Sequence, residues 1–271
     1  MKIASIATLM GSLLAAHGAS AAGYMTGFEN PPFAPYDGVD PASGQIAGTD
    51  GWTINTPVVA VSFVVDSWDP DGSDPIPASQ AAGLGGYFDT PGADANVDLS
   101  KQVALGLSSL VFAVDFAVIA STDLFPGQDS FGFSITSASF PEPLMRVAFE
   151  PPGGNGDLEI AWYDNAGNRN LITPESQDIF YNGTYNLSLE FAASGADVSF
   201  SGNLSGTNSE AFSGTLTGLS GALVDSIGAD FDVIDDADNY LVFDNFMAVP
   251  EPQSAMLLLL SGSLCLLRRR R

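Results

Sequence analysis

Leu110, Phe112, Val114, Phe116 and Val118 stand at every second position of one stretch, and the same alternation returns along most of the chain. A period of two sends successive side chains to opposite faces of an extended strand, whereas an amphipathic helix repeats every 3.6 residues. Phe131, Phe133 and Ile135 alternate with Ser130, Gly132 and Ser134; Met145, Val147 and Phe149 alternate with Arg146, Ala148 and Glu150. Leu158, Ile160 and Trp162 continue the pattern, and Tyr185, Leu187, Leu189 and Phe191 pair with Val198 and Phe200 across a five-residue loop, Ala192 to Ala196. Gly, Pro, Asn and Asp punctuate these runs, as in Pro151–Gly156 and Asp164-Asn165-Ala166-Gly167. Those residues turn the chain because they tolerate or impose the dihedrals a turn needs.

Shorter strands are expected before this meander, over Tyr24–Glu29, Gly51–Ile54, Val58–Val65 and Leu84–Phe88. The Ser-, Gly- and Thr-rich stretch Ser201–Leu223 reads as loops with one strand around Phe212–Leu216, and Asn239–Met247 closes the body. A dozen or so short, half-buried strands joined in sequence predict an all-β fold, an antiparallel β-sandwich. No repeat or linker divides residues 23–248, so they form one domain. The strand pattern resembles the jelly roll of concanavalin-type lectins and glucanases. That resemblance implies neighbouring first and last strands.

The ends differ from the body. Lys2, the apolar Ile3–Ala16 and the small residues Ala19, Ser20, Ala21 and Ala22 have the three parts of a secretory signal, cut by signal peptidase after Ala21 or Ala22. At the other end, Val249-Pro250-Glu251-Pro252 precedes an uncharged run from Ala255 to Leu267 and then Arg268, Arg269, Arg270 and Arg271. As a helix the run spans about 20 Å, short of the roughly 30 Å hydrocarbon core. The arginines would hold their end in the cytoplasm. The expected architecture is therefore a sandwich flanked by an N-terminal signal helix and a C-terminal hydrophobic helix. Signature, anchor and basic end together resemble the PEP-CTERM tail of Gram-negative bacteria. The resemblance implies recognition by an exosortase-type membrane protease, transient anchoring in the inner membrane, and release to the surface or extracellular matrix.

Of the 32 acidic residues only Glu251 lies in the ends, but of the 8 basic ones Lys2 and the four terminal arginines do. Residues 22–250 thus carry 31 acidic side chains against Lys101, Arg146 and Arg169, a formal charge of −28. Such a body is repelled by nucleic acid and by anionic lipid. Its single His and single Cys, His17 and Cys265, also lie in the ends. The body then has no thiol nucleophile, disulfide, Ser-His-Asp triad or His and Cys ligands for zinc. Carboxylates remain, alone or around a hard cation.

Asp69, Asp71, Ser73 and Asp74 place oxygens near alternate positions around Gly72, an arrangement suited to calcium, which takes six to eight oxygen ligands. The match to a calcium loop is incomplete, since Gln80 stands where a glutamate would close it, and a solvated acidic turn is the alternative. If the first and last strands are neighbours, Glu29 and Asp244 form a second candidate calcium pair. Trp52, Trp68 and Tyr87 are the candidate faces for stacking on sugar rings, with Trp162 read as core. For glycoside hydrolysis two carboxylates must flank one bond, and Asp230-Phe231-Asp232 is the nearest such pair along a strand. The Glu-x-Asp-x-x-Glu pattern of the glucanases is not found. Two functions are consistent with these residues: a non-enzymatic structural or carbohydrate-binding matrix protein, with a polysaccharide ligand, or a carboxylate-dependent glycosidase.

Overall fold

The computed structural model describes residues 23–28, 46, 48–55, 61–65, 81–85, 95–119, 130–150, 158–172, 183–206, 209–233 and 240–250. Fifteen strands are found there. The first five are β1 (Tyr24–Thr26), β2 (Trp52–Asn55), β3 (Val61–Val65), β4 (Ala81–Gly85) and β5 (Ala95–Gly106). Next come β6 (Leu110–Ile119), β7 (Ser130–Thr136), β8 (Met145–Glu150), β9 (Glu159–Asp164) and β10 (Arg169–Leu171). The last five are β11 (Thr184–Ser194), β12 (Asp197–Gly206), β13 (Glu210–Leu216), β14 (Leu223–Val233) and β15 (Tyr240–Pro250). One sheet runs β13-β12-β11-β6-β15-β4-β3, with β1 also paired to β15; the other runs β10-β9-β8-β7-β14-β5-β2.

The strand pairs within both sheets are antiparallel. The fold is the expected all-β sandwich, and its first and last strands are neighbours, Tyr24 opposite Ala248 and Thr26 opposite Phe246. β15 continues two residues past the expected domain end, pairing Val249 with Val111 and Pro250 with Leu110. The signal segment and residues 251–271 lie outside the described residues, and so do the two flanking helices expected there. Among the described residues the one helical element is a short turn, Leu107–Ser109, and no helix there is long and apolar enough to cross a membrane.

The alternation supplies the core. Phe112 and Phe116 from one sheet meet Phe131, Phe133 and Phe149 from the other, with ring centroids 4.8–6.3 Å apart, and all five are almost wholly buried. Each such ring contributes about 1.5–3 kcal/mol by leaving water. In β15 the phase of the alternation changes: Phe243 and Phe246, three apart, are both fully buried. A register shift between Asp244 and Met247 absorbs the extra residue, with Asn245 in the left-handed region at φ 49. Asn tolerates that conformation better than other non-glycine residues. This bulge turns a strand that reads as apolar on both faces into one whose Phe residues all point inward.

Residues 201–206, expected as loop, are strand. Gly202 faces Phe212 across the β12–β13 ladder, and Gly214 faces Phe200. A Cβ on Gly202 would fall 2.3 Å from the Phe212 ring, and one on Gly214 2.6 Å from the Phe200 ring. The rings lie over the glycines and bury backbone that would otherwise be bare, so a Ser- and Gly-rich segment holds a sheet. The β11–β12 connection is also tighter than expected. Ser194 pairs with Asp197, leaving a two-residue turn with Gly195 at φ 68.

Candidate functional site

On the outer face of the seven-stranded sheet the inward phenylalanines leave polar and small residues pointing away from the core. One row crosses it in register as Arg169, Tyr163, Arg146, Ser134, Gly228, Ser100 and Thr53. The next reads Leu171, Ala161, Ala148, Gly132, Asp230, Asp98 and Asn55. Along these rows the face sinks into a trough of about 610 Å³. Its walls include Asp98, Ser100, Ser134, Arg146, Tyr163 and Asp230.

Arg146 reaches across β7 to Asp230. Its Nε donates to both carboxylate oxygens, at 2.9 and 3.1 Å, and its second terminal nitrogen donates to Oδ1 as well. Gly132 makes that route available, since a Cβ there would stand 2.9 Å from Nε and 2.8 Å from the Val147 carbonyl. Burial alone would lower the affinity of Arg146 for its proton, but the charge and hydrogen bonds of Asp230 outweigh it and hold the guanidinium above its usual range. Beside it, Tyr163 donates to Glu150 at 2.5 Å. Burial and that bond push the phenol up. Arg169 bridges Glu150 and Glu159 at 2.9 and 2.6 Å, which holds it charged.

Asp98 differs from these. It faces Asp230 directly across the β14–β5 ladder, and among the described residues no hydrogen bond or ion pair reaches its carboxylate. Burial on the trough side and the Asp230 charge raise it above the ordinary 3.8, against the pull of Arg146. Its rim remains exposed, and solvent there limits the effect.

The expected sites fare differently. Trp52 presents no face to a ligand: it is fully buried, its indole N–H donates to the Tyr24 hydroxyl at 2.8 Å, and it packs on Phe28 and Phe246. Its apolar bulk sits better between the sheets than in water, which corrects its reading as a stacking platform. Asp244 is also buried, at the β15 bulge opposite Asp115. Asp69, Asp71, Ser73, Asp74, Glu29, Trp68 and Tyr87 lie outside the described residues. Among the described residues no group of three or more His, Cys, Asp or Glu side chains is placed to hold a metal ion. The trough was not anticipated as a site. Its one signal in the sequence is Asp230, half of the Asp230-Phe231-Asp232 carboxylate pair.

No family model and no curated protein sequence matches the chain. Among solved structures it is similar to lectin UEA-II complexed with galactose, at a TM-score of 0.51 and 9% identity, over 86% of this chain and 100% of that one. The lectin from Bauhinia forficata in complex with GalNAc follows at 0.49 and 8%, over 86% and 100%. The catalytic domain of a glycoside hydrolase family 131 protein from Coprinopsis cinerea gives 0.45 and 11%, over 71% and 78%. Identities this low speak to fold and not to site. The chain is an antiparallel β-sandwich whose fold is similar to that of lectin UEA-II.

Proposed function

We propose that this chain is an exported, non-enzymatic β-sandwich that binds carbohydrate in the trough of its seven-stranded sheet. The observation that carries the reading is the trough itself, a depression walled by charged and hydroxyl groups. Sugars are recognised by fixed donors and acceptors, and here Asp230 holds Arg146 while Tyr163 and Arg169 hold Glu150. The fold shared with galactose- and GalNAc-complexed lectins supports the reading as fold-level analogy. The ends extend it: signal peptidase would remove the leader, and an exosortase-type protease would act on the Val249–Arg271 tail, delivering the body to the surface or matrix of a Gram-negative bacterium. Calcium at Asp69–Asp74 or at Glu29 and Asp244 belongs to the same proposal.

A second reading is favoured by one observation. Asp98, raised by burial and by the facing Asp230 charge, stands across the β14–β5 ladder from that second carboxylate, and glycoside hydrolysis uses a pair of carboxylates. Binding is preferred because both oxygens of Asp230 are occupied by Arg146. The test is a glycan array with the processed protein, with and without calcium, followed by an assay for released sugar. Retention without release supports binding. Release that disappears in Asp98→Asn supports the glycosidase, and neither retention nor release overturns both.

A further inference from the structure

Among the trough's lining residues are three carboxylates, Asp98, Glu150 and Asp230, and one guanidinium, Arg146. Two of the carboxylates are satisfied within the protein: Asp230 by Arg146, and Glu150 by Tyr163 and Arg169. Asp98 alone lacks a hydrogen-bonded partner among the described residues, while standing opposite another aspartate. Like charges directly across a ladder are destabilising, and the hydrogen bonds of Arg146 go to Asp230, so a second positive group beside Asp98 would be favourable. A bare divalent ion answers this poorly. It needs six or more oxygens, and among the described residues no three acidic side chains converge. A volume of about 610 Å³ is far larger than an ion requires and accommodates a sugar unit with its neighbours.

Resting on the carbohydrate-binding reading, we propose that the glycan taken by the trough carries a free amine: an unacetylated hexosamine unit whose ammonium group is held by Asp98. Serines 100 and 134 and the Arg146 face then serve the ring hydroxyls, as polar groups aimed into the same depression. Anionic sugars are excluded by the same arithmetic, because a uronate would add a fourth carboxylate to a lining whose one guanidinium already serves Asp230.

The experiment is titration calorimetry of the purified full chain with three hexasaccharides: β-linked glucosamine, β-linked N-acetylglucosamine and α-linked galacturonate. It is run near pH 6, where a sugar amine, like an α-amine, is protonated. The glucosamine oligomer should bind at least about tenfold tighter than its acetylated counterpart, the galacturonate should not bind, and Asp98→Asn should erase the tenfold preference. The variant loses one charge from a strongly acidic body. A preference that survives in Asp98→Asn therefore reports general attraction and overturns the assignment. Equal affinity for the free and acetylated oligomers overturns it while carbohydrate binding stands. Binding of none of the three, with an empty glycan array, removes both. Circular dichroism of Asp98→Asn confirms that a lost preference is not lost structure.

Discussion

Gly23 lies against Val249 so closely that a Cβ on the glycine would come within 2.4 Å of a valine methyl and 2.9 Å of its Cα. The start of β1 and the end of β15 thus meet in one place. The first residue after the expected signal cut touches the first residue of the expected sorting signature. Gly23→Ala is expected to force β1 off its ladder and destabilise the fold by about 1–3 kcal/mol, the usual cost of overpacking. Urea unfolding checks this, and an unchanged midpoint would mean that β1 yields without strain. Val249→Ala in the same background should recover part of the loss, since it removes the nearest methyl.

Arg146→Met should leave Asp230 charged and without its partner on the floor of the trough. The expected loss is about 2–3 kcal/mol, because the carboxylate keeps its burial while losing charge-assisted hydrogen bonds. Arg146→Lys should recover only a fraction, since an ammonium cannot span both carboxylate oxygens as the guanidinium does. Gly132→Ala should resemble a mild form of the same lesion, its methyl standing where the guanidinium passes. Chemical denaturation of the three variants gives the order, and a lysine variant as stable as wild type would show that the bidentate geometry contributes nothing.

The meander from β6 to β9 was legible because each strand there keeps one phase and its buried face is Leu, Ile, Val, Met or Phe. β5 was not. The buried face it shares with Leu99 and Leu105 is interrupted by Lys101, whose amine is led to the Asp50 carbonyl and over the Tyr24 ring, a tertiary solution no local pattern announces. β14 hides for a related reason: its register shifts between Val224 and Ser226, and Asp and Gly occupy positions that propensity assigns to turns. The trough was invisible for a third reason. Asp98, Arg146 and Asp230 are brought together by the order of β5, β14, β7 and β8, and that order is not written in spacing along the chain.

Trp52 separates a core role from a ligand role. It is wholly buried and bonded to the Tyr24 hydroxyl, so Trp52→Ala should cost about 3–5 kcal/mol. Trp52→Phe, which keeps most of the ring volume but loses the indole donor, should cost less and still fold. Its glycan affinity should equal that of wild type, measured by calorimetry on a sugar retained by the array. A loss of affinity in a folded Trp52→Phe would place the ligand at the β1–β2 end of the sandwich instead of the trough.

The Asp98–Asp230 pair gives a pH dependence with a definite sign. Burial and the facing carboxylate raise Asp98 above 3.8, so the folded chain holds this proton more tightly than the unfolded chain does. Folding then takes up a proton in the window just above that value. The contribution of Asp98 to stability is present at low pH and is lost as pH rises through its folded pKa. Asp230, Glu150, Arg146 and Tyr163 surround it in both proteins, so the informative quantity is the difference between wild type and Asp98→Asn. The variant should gain on wild type as pH climbs from about 4 to 7, and urea midpoints at both ends measure it. A constant difference across that range would mean that solvent at the exposed rim already screens the two aspartates from each other, and the case for a vacant cationic subsite would weaken with it.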